Sequence, residues 1–250
     1  MAHRKFLADE ANSLRKARVV IAISQQVKRD LVRFLSIPPE RIHVVYYGND
    51  TAAFFPPEHD QRLRTRQKLR WSPERPVVMF IGALGDRRKG FDTLFGAWKQ
   101  LCGKSSWDAD LVVVGRGAEL RAWQKRTTAA GLDGRIRFLG FRHDVPDLLR
   151  AADALVAPTR YEAYGLGVQE ALCCGLPALV SADAGVAERY PAELQSLLLQ
   201  DHNSVKELVF GLEGWRSRAA ELSEQTARFG EALRARTWDE MARDIVRIAL

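Results

Sequence analysis

From residue 76 onward, short apolar runs alternate with stretches whose apolar positions recur every three or four residues. The runs at 77–81, 111–114, 136–139, 154–157, 178–181 and 196–199 are mostly apolar and read as strand candidates, as in strands buried on both faces. The intervening stretches 91–102, 118–130, 145–152 and 167–174 carry the helical period. Alternation of this kind predicts an α/β fold, a doubly wound parallel sheet with helices on both faces, Rossmann-like in plan. A ligand in such a domain sits beyond the carboxyl ends of the strands, so the loops that follow them are where chemistry is expected.

The chain ahead of residue 76 has a different make-up. A helix is expected over 4–18 and an apolar strand over 19–23, with Ser24 as N-cap of a helix over 25–35. Pro38-Pro39 breaks that helix, and a strand over 42–47 stops at Gly48-Asn49-Asp50. The strand at 19–23 has no obvious sheet to join, which would leave an apolar edge unpaired. Residues 51–57, stiffened by Pro56-Pro57, read as a linker, and a basic helix over 62–70 reads as a solvated face. At the far end, helices are expected over 205–212, 214–229 and 238–248, the last capped by Thr237 with Met241, Ile245 and Ile248 on one side. These features divide the chain into 1–50, 51–236 and 237–250, with the final helix packing back toward the N-terminal part.

Composition narrows the field. The chain of 250 residues is 46% hydrophobic, enough for one large core or two modest ones. No run of about 18 apolar residues is present, and the first residues lack a signal-peptide core, so a cytoplasmic protein is expected. Its net charge of +7 is diffuse, and no nucleic-acid-reading motif accompanies it. Peripheral association with an anionic membrane face is compatible with that charge. Cys102, Cys173 and Cys174 have no metal-ligand spacing and read as reduced thiols, so neither a metal nor another cofactor is expected.

Four loops follow predicted strands. The first runs from Gly82 through Asp86, Arg87, Arg88 and Lys89 to Gly90, combining glycines with three cations before a helix, a way to hold a diphosphate. Gly115-Arg116-Gly117 is a weaker instance that a helix-entry turn explains equally well. Next come Phe141, Arg142 and His143, an aromatic, a guanidinium and an imidazole able to flank a base. The fourth loop carries Glu162 and enters a helix carrying Glu170 eight residues on, with Tyr164, Gly165 and Leu166 between them. A helix starting near Leu166 would aim unpaired N–H groups at an anion, and Glu170, one turn further, could accept hydrogen bonds from a ligand's hydroxyls.

Taken in order, these elements resemble the donor-binding half of the retaining glycosyltransferases of family four, enzymes of two facing Rossmann domains, the GT-B fold. The family pattern Gly-Arg-Leu, Lys-Gly-x-Asp, Gly-x-Gly, Phe-Leu-Gly and Glu-x7-Glu reads here as Gly82-Ala83-Leu84, Lys89-Gly90-Phe91-Asp92, Gly115-Arg116-Gly117, Phe138-Leu139-Gly140 and Glu162 to Glu170. The resemblance implies a UDP-sugar or GDP-sugar donor. Lys89 would neutralise its diphosphate, the amides of Gly165 and Leu166 would meet phosphate or sugar, Glu170 would hold the ribose and Glu162 the transferred sugar. Transfer to an acceptor hydroxyl, on a glycan, a lipid-linked molecule or a small molecule, would retain the anomeric configuration, the leaving diphosphate taking the acceptor's proton. Three positions depart from the pattern. Ala83 replaces the family's arginine, so a phosphate contact is lost unless Arg87 or Arg88 supplies it; Ala163-Tyr164 replaces Pro-Phe; and Ala184-Gly185 replaces Gly-Gly. The resemblance also implies an acceptor domain ahead of residue 19, of which residues 1–50 would be the last elements. Supplied by a longer chain or a partner, that domain would complete the enzyme; the alternative is a non-catalytic nucleotide-sugar-binding subunit.

Overall fold

Six parallel strands form the main sheet of the computed structural model, which describes residues 2–250, with side chains from residue 8 onward. In chain order the elements are α1 (Ala2–Lys16), β1 (Val20–Ala22), α2 (Gln25–Leu35), β2 (Ile42–Val44) and α3 (His59–Lys68). Then follow β3 (Val77–Ile81), α4 (Phe91–Cys102), β4 (Asp110–Val114), α5 (Leu120–Ala129), β5 (Ile136–Gly140), α6 (Val145–Ala151) and β6 (Ala154–Ala157). The remainder is α7 (Leu166–Cys173), β7 (Ala178–Ser181), β8 (Leu198–Leu199), α8 (Val205–Ser217), α9 (Ala219–Arg234) and α10 (Trp238–Ala249).

The main sheet runs β5-β4-β3-β6-β7-β8, every pair parallel. Strand order therefore reverses between β3 and β6, the doubly wound arrangement that opens a crevice where the two loops part. Val77 to Phe80, Leu111 to Val114 and Leu155 to Val156 are buried, as continuous apolar runs require of strands covered on both faces. The eighth strand is shorter than expected because Ala192–Leu197 coils into a 3-10 turn. The helices after it divide at Arg218 rather than near Gly214, which sits within α8.

The strand at 19–23 does find a partner. β1 pairs in parallel with β2, Val20 opposite Ile42, and Val20, Ala22, Ile37 and Ile42 form a small core of their own. The basic helix α3 is also less solvated than its charge suggests. Arg66 is 3% exposed and Arg62 half-buried; both meet Asp153, at 3.1 and 2.6 Å, and Asp153 also accepts the N–H of Val77 at 2.7 Å. Buried charges persist when paired and hydrogen-bonded, and here the pair pins α3 to the start of the sheet.

The N-terminal part is fastened to the main domain at the fourth loop. Ser24 caps α2, accepting from Val27 N at 3.1 Å, and its hydroxyl donates to Ala163 O at 2.7 Å. Glu188 caps the same helix from across the interface, its carboxylate accepting from the backbone N–H groups of Gln25 and Gln26 at 2.8 and 2.6 Å. Ser24→Ala should therefore lose about 1 to 2 kcal/mol of stability, the upper range for a cap, measurable by urea unfolding. An unchanged midpoint would show that Glu188 alone suffices. At the other end, Arg236 donates to Tyr46 O at 3.0 Å, Asn49 N to Arg236 O at 2.9 Å and Arg18 to Ala249 O at 2.6 Å. Met241, Ile245 and Ile248 of α10 are only partly buried. Among the described residues no helix is long and apolar enough to cross a membrane.

Candidate functional site

Because β3 and β6 are neighbours at the reversal, the loops after them face each other. The first is shaped by local chemistry. Asp86 caps a 3-10 turn, Arg87–Lys89, through Arg88 N at 3.0 Å, and Gly90 ends it at φ 69°. A Cβ at Gly90 would lie 1.9 Å from Pro158 O, so only glycine lets this loop lie against the β6 loop. That approach delivers Lys89 Nζ to Glu162 Oε2 at 2.7 Å across a cleft of about 350 Å³. Gly82 and the first turn of α7, Gly165 to Val168, complete the wall, over an apolar floor of Phe80, Leu155 and Val180.

Gly165 stands at φ 103° and turns the chain into α7. The N–H groups of Gly165, Leu166 and Gly167 find no acceptor among the described residues, and a Cβ at Gly167 would meet nothing within 4 Å. These unpaired amides thus stand at a helix N-terminus in the wall of the cleft that Lys89 also lines, where an anion is favoured. Glu170 lies one turn on, outside the residues that line the cleft, and its carboxylate accepts no hydrogen bond among the described residues; burial pushes its carboxyl up to about 7. Thr159, 5% exposed, also lines the cleft, and its hydroxyl has no hydrogen-bond partner among the described residues.

The structure thus brings Gly82, Lys89, Glu162, Gly165 and Leu166 together and leaves other expected residues outside. Arg87 and Arg88 do not line the cleft: Arg88 forks onto Asp86 at 2.8 to 3.1 Å, and Arg87, 82% exposed, lies 3.6 Å from Asp92. Arg87 instead shares a neighbouring cavity with Ala83, Asp86 and Asp92. Tyr164 is 1% exposed, donates to Gln169 Oε1 and packs against the rings of Tyr46 and Tyr47, so its bulk fills the interface with the N-terminal part. Gln169 in turn donates to Gly48 O at 2.9 Å.

Gly115 and Gly117 serve close packing. A Cβ on Gly115 would fall 1.9 Å from Gly82 O, and one on Gly117 1.7 Å from Leu84 O, because the β3 and β4 loops are hydrogen-bonded side by side. Phe141 is exposed beyond β5, with Arg116 over its ring at 5.1 Å and His143 edge-on at 4.7 Å, while Arg142 is held by Asp144. None of these lines the cleft itself. Sequence reasoning missed Thr159 and Arg160, for which the only signal was their place between Pro158 and Glu162.

Comparison with known proteins shows the family and the fold. A family model described as "Glycosyl transferases group 1" matches residues 61–236, and one described as "Glycosyltransferase Family 4" matches residues 1–53. The D-inositol 3-phosphate glycosyltransferase of Jonesia denitrificans is 30% identical over 211 residues, which are 80% of this chain and 49% of that protein. The 2-deoxystreptamine N-acetyl-D-glucosaminyltransferase of Streptomyces fradiae is 29% identical, over 80% of this chain and 47% of its own. The chain spans about half the length of the curated relatives it matches. Among solved structures, sucrose-phosphate synthase of Thermosynechococcus elongatus superposes with a TM-score of 0.83 at 25% identity, covering 98% of this chain and 61% of that one. Anabaena HepE, crystallised with UDP and glucose, has the same fold, with a TM-score of 0.82 at 22% identity over 94% of this chain and 63% of its own. The first model covers well over half of the 250 residues, and the chain belongs to the glycosyl transferases of group 1.

Proposed function

We propose that this chain provides the donor-binding half of a retaining glycosyltransferase that uses a nucleoside diphosphate sugar. The observation that carries the reading is the Lys89–Glu162 pair, 2.7 Å apart at the strand-order reversal beside the unpaired amides of Leu166 and Gly167. An incoming diphosphate displaces Glu162 from Lys89. Lys89 and the helix amides then hold phosphate oxygens, and the released Glu162 carboxylate accepts hydrogen bonds from the sugar's hydroxyls. As the bond from the anomeric carbon to the diphosphate oxygen breaks, the acceptor hydroxyl oxygen bonds to that carbon on the same face and its proton passes to the departing diphosphate. Negative charge grows on the leaving oxygen during this step, which is where a fixed ammonium and fixed amides stabilise most. The acceptor, a hydroxyl of a glycan, lipid-linked molecule or small molecule, enters from the side that an acceptor domain would cover. A second reading, binding without transfer, is favoured by Ala83 and by the absence of Arg87 and Arg88 from the cleft's lining, which leaves Lys89 as the sole cation there among the described residues. Sugar transfer by the purified chain would exclude it.

Calorimetric titration with UDP-glucose and GDP-mannose tests the first reading, and its pH dependence tests Glu170. A carboxyl with its pKa raised to about 7 must be ionised before it accepts both ribose hydroxyls. Affinity should therefore rise about tenfold from roughly pH 6 to pH 8, as the competent fraction rises, and be flat in Glu170→Gln. The sign for stability is opposite. The folded pKa lies above the ordinary 4.5, so the folded chain holds this proton more tightly, and stability falls as pH rises from there through about 7. Glu170→Gln should consequently unfold at a higher temperature than the wild type at alkaline pH. Failure of the wild type to bind either nucleotide sugar at millimolar concentration would sink the donor reading.

A further inference from the structure

Lys89 and Glu162 reach each other from loops of different strands, and β3 and β6 are in register only over Val78 with Ala154 and Met79 with Leu155. Past those residues the ladder no longer sets how far apart the loops stand. Arg160 does. Its backbone N–H donates to Arg88 O at 2.7 Å, joining the β6 loop to the 3-10 turn that carries Lys89. Its guanidinium donates to Arg87 O on one side of that turn, and on the other side forks onto Asp92, Nη1 to Oδ1 at 2.8 Å and Nη2 to Oδ2 at 3.0 Å. Nη2 also reaches Thr93 Oγ1 at 3.2 Å, and Nε donates to Asn203 Oδ1 at 2.7 Å.

The turn is therefore held at both ends by one rigid, planar group two residues ahead of Glu162. Neither Arg160 nor Asp92 lines the cleft, so neither is placed to touch a ligand there. Both are partly exposed, where an ion pair adds little to stability, whereas a bidentate fork fixes geometry closely. We propose that Arg160, anchored on Asp92, is a positioning residue that sets the spacing of Lys89 from Glu162 and so makes the cleft prefer a diphosphate. This gives the aspartate of Lys89-Gly90-Phe91-Asp92 a role away from the ligand: it holds the arginine that holds the lysine. The ligand named here rests on the donor reading above; the clamp itself does not.

Arg160→Gln, Arg160→Lys and Asp92→Asn in the full chain test it on two independent readouts. In amide hydrogen exchange without ligand, the segment 86–91 should exchange about tenfold faster in Arg160→Gln and in Asp92→Asn, as expected when local opening loses one charged hydrogen-bonded pair. In titration, affinity for UDP or GDP should fall about tenfold in both, with uridine or guanosine affinity unchanged, a loss in line with a charged contact that is displaced. Arg160→Lys, which keeps the charge without the fork, should match Arg160→Gln more than the wild type. Unchanged exchange overturns the clamp whatever the ligand. Equal losses for nucleoside and diphosphate overturn the positioning role and leave a purely structural one. If the wild type binds neither diphosphate, the donor reading fails and takes the named ligand with it, while the exchange result still decides the clamp.

Discussion

Lys89→Ala should weaken binding of a nucleoside diphosphate sugar by roughly 10- to 150-fold, about 1.5 to 3 kcal/mol, the range for hydrogen bonds to a charged group. Two effects act together. The ammonium that would meet the phosphate oxygens is gone, and Glu162, left without its 2.7 Å partner, turns the cleft's field negative. No neighbour substitutes, since Arg88 is engaged with Asp86 and Arg87 lies out beside Asp92. If the complete enzyme transfers sugar as proposed, turnover should fall further, by about 100-fold, because charge on the leaving diphosphate grows toward the transition state. Affinity for the nucleoside alone should be unaffected. A parallel drop for nucleoside and nucleotide sugar would show that Lys89 supports the loop rather than the phosphates.

Gly115→Ala should be the most damaging small substitution in the β4 loop, costing roughly 3 to 5 kcal/mol or preventing folding, as the largest backbone and packing defects do. The new methyl would need to occupy the place of Gly82 O, 1.9 Å away, at φ 141°. Relief would pull the β4 loop from the β3 loop and break the bonds Gly82 N to Val114 O and Leu84 N to Arg116 O. Gly140 provides the control. It also has positive φ, 67°, yet a Cβ there meets nothing within 4 Å, so Gly140→Ala should lose only about 1 to 2 kcal/mol, the left-handed penalty alone. Denaturant unfolding of the two variants separates the causes. Similar losses would mean that backbone conformation, and not the close approach of the loops, decides.

Much of this architecture was legible because burial on two faces forces continuous apolar runs. The strands at 77–81, 154–157 and 178–181 and the helix at 91–102 fall where those runs and the helical period place them. Ser24 and Thr237 were readable as caps because an unpaired helix amide asks for a short hydroxyl, and both bonds form. Direction in loops was not readable. A strand's alternation or a helix's period tells inside from outside, whereas Tyr164, Arg87 and Arg88 sit in segments without a period. One is buried and two stay outside the cleft's lining, against expectation. Long-range pairing was equally hidden: β1 and β2 are only three residues each, and the buried Arg66 is explained by Asp153, far along the chain. The two glycines of Gly115-Arg116-Gly117 signalled a tight approach, but whether of a ligand or of another loop depended on where the β3 loop lay.

The fastening of α2 to the main domain bears on how parts of this chain can be exchanged with those of relatives. Ser24 holds the carbonyl next to Glu162, Glu188 caps α2 from the other side, and Gln169 reaches back to Gly48. A chimera joined at the Pro56-Pro57 linker would look natural by sequence, yet it would import a foreign α2 against a native Glu188 and a foreign turn against a native Gln169. The functional seam is not the linker but a four-part set, residues 24–26, Gly48, 162–169 and 185–188. A graft that moves the first two without the last two should deliver a folded hybrid whose Glu162 loop is out of place.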